Sequence, residues 1–102
     1  MSSFLNPGNG KPSDPLAFVR SYIALAIQIG APAYNLGDHR GCYEVYACTA
    51  RMLLAATKGA EDARRTLREA LEQCSTQVDV NEQAWTMRRA FDAILGDDPS
   101  AN

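Results

Sequence analysis

The stretch YNLGDHRGCYEVYACTARMLLAAT, residues 34–57, decides the fold of this chain. It opens with the turn sequence Asn35-Leu36-Gly37-Asp38 and continues as a helical segment that is apolar on nearly every side. A thin polar line is the exception and runs through Arg40, Glu44, Arg51 and Lys58. A helix that is apolar all round is normally buried. We therefore predict that this helix is central and that the other segments pack around it.

The segment before this stretch predicts another strongly apolar helix. Asp14 suits its N-cap and Pro15 its first position, where the missing N–H costs no hydrogen bond. Gly30 and Pro32 fall inside the apolar pattern, and a proline in a helix interior removes a hydrogen bond. We therefore expect a bend or a break near Gly30–Pro32, with the chain helical again to about Leu36.

The second half of the chain predicts two more helices, over residues 60–75 and 80–95, and it has no strand pattern. Because short connections favour antiparallel neighbours, we predict an all-α fold, a four-helix antiparallel bundle of two helical hairpins. The helical domain spans residues 15–96. A flexible N-terminal arm, residues 1–14, is expected before it, and a C-terminal tail, residues 97–102, after it.

The first hairpin resembles that of a tetratricopeptide repeat over about residues 23–50. The residues that carry the resemblance are Gly30, Gly37, Asp38 and Tyr46, with Cys42 at the position of the usual small residue. The resemblance implies close helix approach at Gly30, with Tyr46 filling the gap between the helices. It implies no peptide groove, because such grooves need several stacked repeats, and a second repeat is not found.

Composition excludes several classes of function. The formal net charge of −2 and the pI near 5.2 give no field that would attract nucleic acid or an acidic membrane surface. The apolar run over residues 21–30 is shorter than the roughly 20 residues that a membrane span needs. All three cysteines fall within or beside apolar stripes, where a free cysteine behaves as a small hydrophobic residue, so we expect reduced thiols. We predict a cytoplasmic protein with neither nucleic acid nor membrane as a partner.

The sequence offers little for catalysis or metal binding. Asp38, His39 and Cys42 are the only cluster of potential metal ligands, and one helix start cannot close a tetrahedral site. A thiol buried among apolar groups has a raised pKa and is inert. We therefore predict no enzyme, no cofactor and no metal.

The leading hypothesis is a small interaction or scaffold domain that binds a protein partner or forms a homodimer. The first helix is more apolar than one neighbouring helix can cover, and large apolar patches mark interfaces. Trp85 lies off the main apolar stripe of the last helix, beside two arginines, as residues at interface centres often do. The candidate partner-binding residues are Phe18, Tyr22, Leu25, Trp85, Arg88 and Arg89.

The alternative hypothesis is a small-molecule or metal sensor with a pocket between the hairpins. Its candidate ligand-binding residues are Tyr34, Asn35, His39, Cys42, Tyr46 and Arg51. For the tyrosines the competing interpretation is packing, with the hydroxyl groups at the rim of the core.

Overall fold

A computed structural model describes residues 14–96, which form four α-helices and no strand. The helices are α1 (Pro15–Asn35), α2 (His39–Ala56), α3 (Glu61–Cys74) and α4 (Val80–Leu95). The predicted all-α bundle is therefore confirmed. The predicted N-terminal arm, apart from Asp14, and the predicted C-terminal tail lie outside the described residues.

The helix starts follow from local sequence. The Asp14 carboxylate accepts a hydrogen bond from the Leu16 N–H at 3.0 Å, and Pro15 occupies the first helical position. The Asp38 carboxylate caps α2 in the same way, at 2.8 Å from the Gly41 N–H. Gly37, between α1 and α2, has a φ of 93°, which favours glycine. These short-range contacts set the start of α1 and the turn between α1 and α2, as predicted.

The first helix continues through Gly30 and Pro32 without interruption. Pro32 cannot donate a hydrogen bond to the Gln28 carbonyl, but both residues are exposed, so water can solvate that carbonyl. The predicted break is therefore wrong, because the lost hydrogen bond falls on the solvent side of the helix. The predicted bend stays a prediction.

The second helix is central, as predicted, since it contacts α1, α3 and α4. Its Tyr46 and Leu53 side chains are only 2% and 1% exposed. The helix is nevertheless not buried all round, because Glu44, Cys48 and Arg51 form an exposed line along it. Cys48 had been expected in an apolar environment, and that expectation is wrong. Its position four residues after Glu44 and three before Arg51 places it on the solvent face.

α1 and α2 are in close contact at Gly30. A Cβ atom added there would lie 2.5 Å from Cε1 of Tyr46, so any larger residue would force the ring to shift. The Tyr46 ring fills the space between the helices and packs edge-on against Phe91 of α4, with ring centroids 5.1 Å apart. This contact fixes the spacing of three helices around one aromatic side chain.

Side-chain hydrogen bonds show that α1 and α4 run antiparallel. Arg20, near the start of α1, donates from Nε to the Ile94 carbonyl at the end of α4, at 2.8 Å. Tyr34, near the end of α1, contacts Trp85 in the first half of α4. Arg64 of α3 donates to the Leu54 carbonyl at 2.9 Å, which stabilises the C-terminal end of α2.

Candidate functional site

The outer face of α1 carries an apolar stripe, which we call the α1 stripe and define as Phe18, Tyr22, Leu25 and Ile29. These side chains are between 37% and 54% exposed. The neighbouring face of the helix, about a quarter turn from the stripe, is buried against the bundle, so α1 is apolar on two adjacent faces. Three predicted partner-binding residues, Phe18, Tyr22 and Leu25, are thus placed together on one open surface.

The α1 stripe has a regular spacing and uncharged surroundings. Its members are four, three and four residues apart, and Pro32 and Leu36, both exposed, extend the spacing by three and then four. This spacing is typical of a coiled-coil seam. The chain carries no charged residue from position 21 to position 37, so charge nowhere interrupts the stripe.

The other predicted partner-binding residues lie on α4, away from this stripe. Trp85 is 44% exposed, as expected of a contact residue. Arg88 is partly buried and donates from Nε to the Asp92 carboxylate at 3.0 Å. Arg89 is exposed on the α3 side, where it lines a separate groove with Thr66. The structure therefore does not join the six residues into a single patch.

A cavity of about 100 Å³ lies between the C-terminal half of α1, the N-terminal half of α2 and α4, and it opens to solvent. This volume is below the range of drug-sized ligand sites and leaves room for a body of one ring at most. Its walls combine aromatic rings, small apolar groups and one cation. The lining residues are Ala31, Tyr34, Asn35, Cys42, Tyr46, Ala84, Trp85 and Arg88.

Four of the six predicted ligand-binding residues line this cavity: Tyr34, Asn35, Cys42 and Tyr46. His39 lies behind it, with its ring stacked on that of Tyr34 at a centroid distance of 4.2 Å. Arg51 is not part of it, because its charge lies near Tyr43 and Cys74, on the α3 side of α2. The structure therefore separates Arg51 from the other candidate residues, and its role in ligand binding stays a prediction.

One wall of the cavity is held in place by hydrogen bonds. Trp85 donates from Nε1 to the Tyr34 hydroxyl at 2.8 Å, and that hydroxyl donates in turn to Oδ1 of Asn81. The two rings meet edge to face, 5.7 Å apart. These contacts hold both aromatic side chains in place without a ligand, which favours binding by reducing the cost of ordering them.

The cation of the cavity is the Arg88 guanidinium, which is charged at any physiological pH. Burial alone would lower the pKa of Arg88, but the hydrogen bond to Asp92 and its charge raise this pKa above the ordinary value. Asp92 contacts Nε, and the guanidinium also lies near the Tyr46 hydroxyl. Burial and contact with Cys42 raise the pKa of Tyr46 to about 12, so this hydroxyl is neutral.

The sequence interpretation missed Ala31 and Ala84, the two small residues that leave room for the cavity. Two alanines on facing helices are only a weak sequence signal for a cavity, since alanine is also an ordinary helix former. Trp85 and Arg88 had been assigned to a partner surface. Their place in a pocket depends on the approach of α1 to α4, which no local sequence pattern indicates.

Cys42 and Cys74 are buried, and burial raises the pKa of both thiols. A thiol with a raised pKa is a poor nucleophile. The Asp38 carboxylate is used in capping α2. Among residues 14–96, no three His, Cys, Asp or Glu side chains come close enough to hold a metal ion.

The first helix is also the one described helix that could cross a membrane by length and composition, with a mean hydropathy of 1.4 over an 18-residue window. Because α1 is unbroken at Pro32, its apolar length is not limited to residues 21–30. Core helices pass the same test, and the inner face of α1 belongs to the core. The absence of a membrane partner stays a prediction.

Comparisons of the chain with protein-family models, curated proteins and solved structures give no match. The function is therefore inferred from the residues themselves.

Proposed function

We propose that this protein is a non-enzymatic interaction domain that forms a homodimer through the α1 stripe. The observation that carries the proposal is an exposed, regularly spaced row of large apolar side chains on a helix with no charged residue after Arg20. A solvent-facing surface of this kind is costly for a monomer and is typical of an interface.

The stripe is self-complementary in an antiparallel pair. In the register that places position 25 opposite position 29, Tyr22 faces Pro32 of the other copy and Phe18 faces its Leu36. Each aromatic ring then meets a smaller side chain, so the helices stay evenly spaced. A parallel pair would stack the aromatic rings on one another at one end. The antiparallel arrangement also pairs opposite ends of the helix dipoles.

The size of the surface sets the expected affinity. A helix of 21 residues is about 31 Å long and about 10 Å wide. Such a strip gives an interface at the small end of the range, so we expect weak, micromolar association. A membrane surface fits the stripe less well, because helices that lie on membranes carry Lys and Arg beside the apolar face. Arg20, the only charged residue of α1, donates to the Ile94 carbonyl.

Sedimentation velocity from about 1 µM to about 100 µM tests the proposal. We expect a monomer–dimer equilibrium that Leu25→Glu abolishes, because that substitution places a carboxylate in the centre of the stripe on both copies. Val78→Glu is the matched control, since Val78 is a fully exposed apolar residue outside the helices and its substitution should change nothing. A strict monomer, or a Leu25→Glu dimer as tight as the wild type, would refute the proposal. Binding of the wild-type monomer to lipid vesicles, lost in Leu25→Glu, would replace it.

Disulfide cross-linking tests the register. In a Cys48→Ser background, Phe18→Cys combined with Leu36→Cys should give a covalent dimer on mild oxidation, while Phe18→Cys alone should not. A covalent dimer from Phe18→Cys alone would show that the helices pair in parallel.

A further inference from the structure

We propose that the cavity between α1, α2 and α4 binds a small planar carboxylate, with the carboxylate on Arg88 and the ring between the aromatic walls. The cavity is formed within one copy of the chain, so this proposal does not depend on self-association.

The charge of the site selects the class of ligand. Arg88 is the only charged residue among those that line the cavity. Its Nε is occupied by Asp92 and the guanidinium is also hydrogen-bonded to the Tyr46 hydroxyl, which leaves the remaining N–H donors of the two terminal nitrogens for a ligand. A planar guanidinium recognises a carboxylate with two parallel hydrogen bonds. One cation, already shared with Asp92, matches a single negative charge better than the double charge of a phosphate.

The walls select the rest of the ligand. Tyr34 and Trp85 present anchored rings, and Ala31 and Ala84 have side chains too small to fill the space between the helices. Aromatic rings pair well with other rings in offset or edge-to-face contacts. A flat apolar body of one ring therefore fits, and Asn35 provides an amide at the exposed rim.

Trp85 is the only tryptophan of the chain, so its fluorescence reports on this site alone. Titration of the full chain with sodium benzoate should give a saturable change, with a dissociation constant of about 1 mM or tighter for a ligand of this size. Benzamide has the same shape without the charge and should bind at least about tenfold more weakly, since a hydrogen bond to a charged group is lost.

Variants separate the site from general effects. Arg88→Gln should weaken benzoate binding by about tenfold or more. Arg89→Gln removes an equal charge one residue away, outside the cavity, and should leave binding unchanged. Ala31→Leu should fill the cavity and block both probes while the far-ultraviolet circular dichroism stays helical.

Three results would overturn the proposal: a fluorescence change that does not saturate, equal affinity for benzoate and benzamide, or equal losses in Arg88→Gln and Arg89→Gln. The comparison of the two probes uses the wild-type protein, so it stays decisive even if a variant folds poorly. A dimer without benzoate binding would refute only this proposal, and a monomer that binds benzoate would refute only the proposed homodimer.

Discussion

Replacing Gly30 by alanine tests the contact on which the first hairpin depends. The new Cβ would lie 2.5 Å from Cε1 of Tyr46, and 3.1 Å and 3.2 Å from two further ring atoms. The ring is almost fully buried and packs edge-on against Phe91, so it cannot turn aside without losing that contact. Over-packing of this kind costs about 1–3 kcal/mol, and about 3 is expected for so short a distance to a rigid ring.

The substitution also has a favourable effect, because alanine in a helix is about 1 kcal/mol more stable than glycine. The net loss in free energy of unfolding is therefore about 2 kcal/mol, equivalent to a fall in Tm of about 8–16 °C. The assay is urea unfolding followed by circular dichroism at a fixed, low protein concentration, so that self-association does not contribute. Ala24→Gly, at an exposed position of the same helix, measures the propensity effect alone.

A double-mutant cycle identifies the cause. In a Tyr46→Leu background the ring is gone, and Gly30→Ala should cost much less or become stabilising. If Gly30→Ala stabilises the wild-type protein, or if its cost is the same in both backgrounds, then the close approach of α1 to Tyr46 does not limit the packing, and the reasoning is wrong.

Three further tests concern polar and titratable side chains. Arg64→Met should lower the free energy of unfolding, measured in urea, by about 1–3 kcal/mol, because carbonyls at the end of α2 lose their hydrogen-bond donor. Arg65→Met is the control, since it removes only a surface ion pair and should leave Tm unchanged. A thiol reagent should modify one cysteine of the folded protein, Cys48, and all three after denaturation; rapid modification of two would contradict the assigned burial. Folding raises the pKa of Tyr46 from 10.0 to about 12, so the folded state holds this proton more tightly than the unfolded state does. The free energy of unfolding should therefore be constant below pH 10 and fall as the pH rises toward about 12. Tyr46→Phe should reduce this pH dependence, and a variant with the same pH profile as the wild type would contradict the raised pKa of Tyr46.

The helix ends could be predicted from sequence because their causes are local. Asp14, Asp38 and Asp79 each accept a hydrogen bond from an N–H two or three residues ahead, so a short window contains both partners. Gly37 and Gly96 have positive φ values next to helix ends for the same local reason. At Pro32 the local rule failed, because its cost depends on whether the freed carbonyl faces water or protein.

The candidate site could be predicted only in part. Tyr34, Asn35, Cys42 and Tyr46 were found because they surround one turn and therefore stay together in almost any packing of the first hairpin. Arg51 was included by sequence proximity, but it lies on the α3 side of α2. Trp85 and Arg88 come from α4, so their place in the cavity follows from the antiparallel approach of α4 to α1.

The sequence by itself determined the four helices, the N-caps of α1, α2 and α4, and the central position of α2, since these depend on hydrogen bonds over a few residues and on apolar periodicity. Only the tertiary structure decided how far each apolar residue is covered. Val19 and Phe18 are neighbours with similar hydrophobicity, yet Val19 is fully buried and Phe18 faces solvent. The physical reason is that the burial of a side chain depends on which neighbour covers its face of the helix, and that neighbour is distant in the chain.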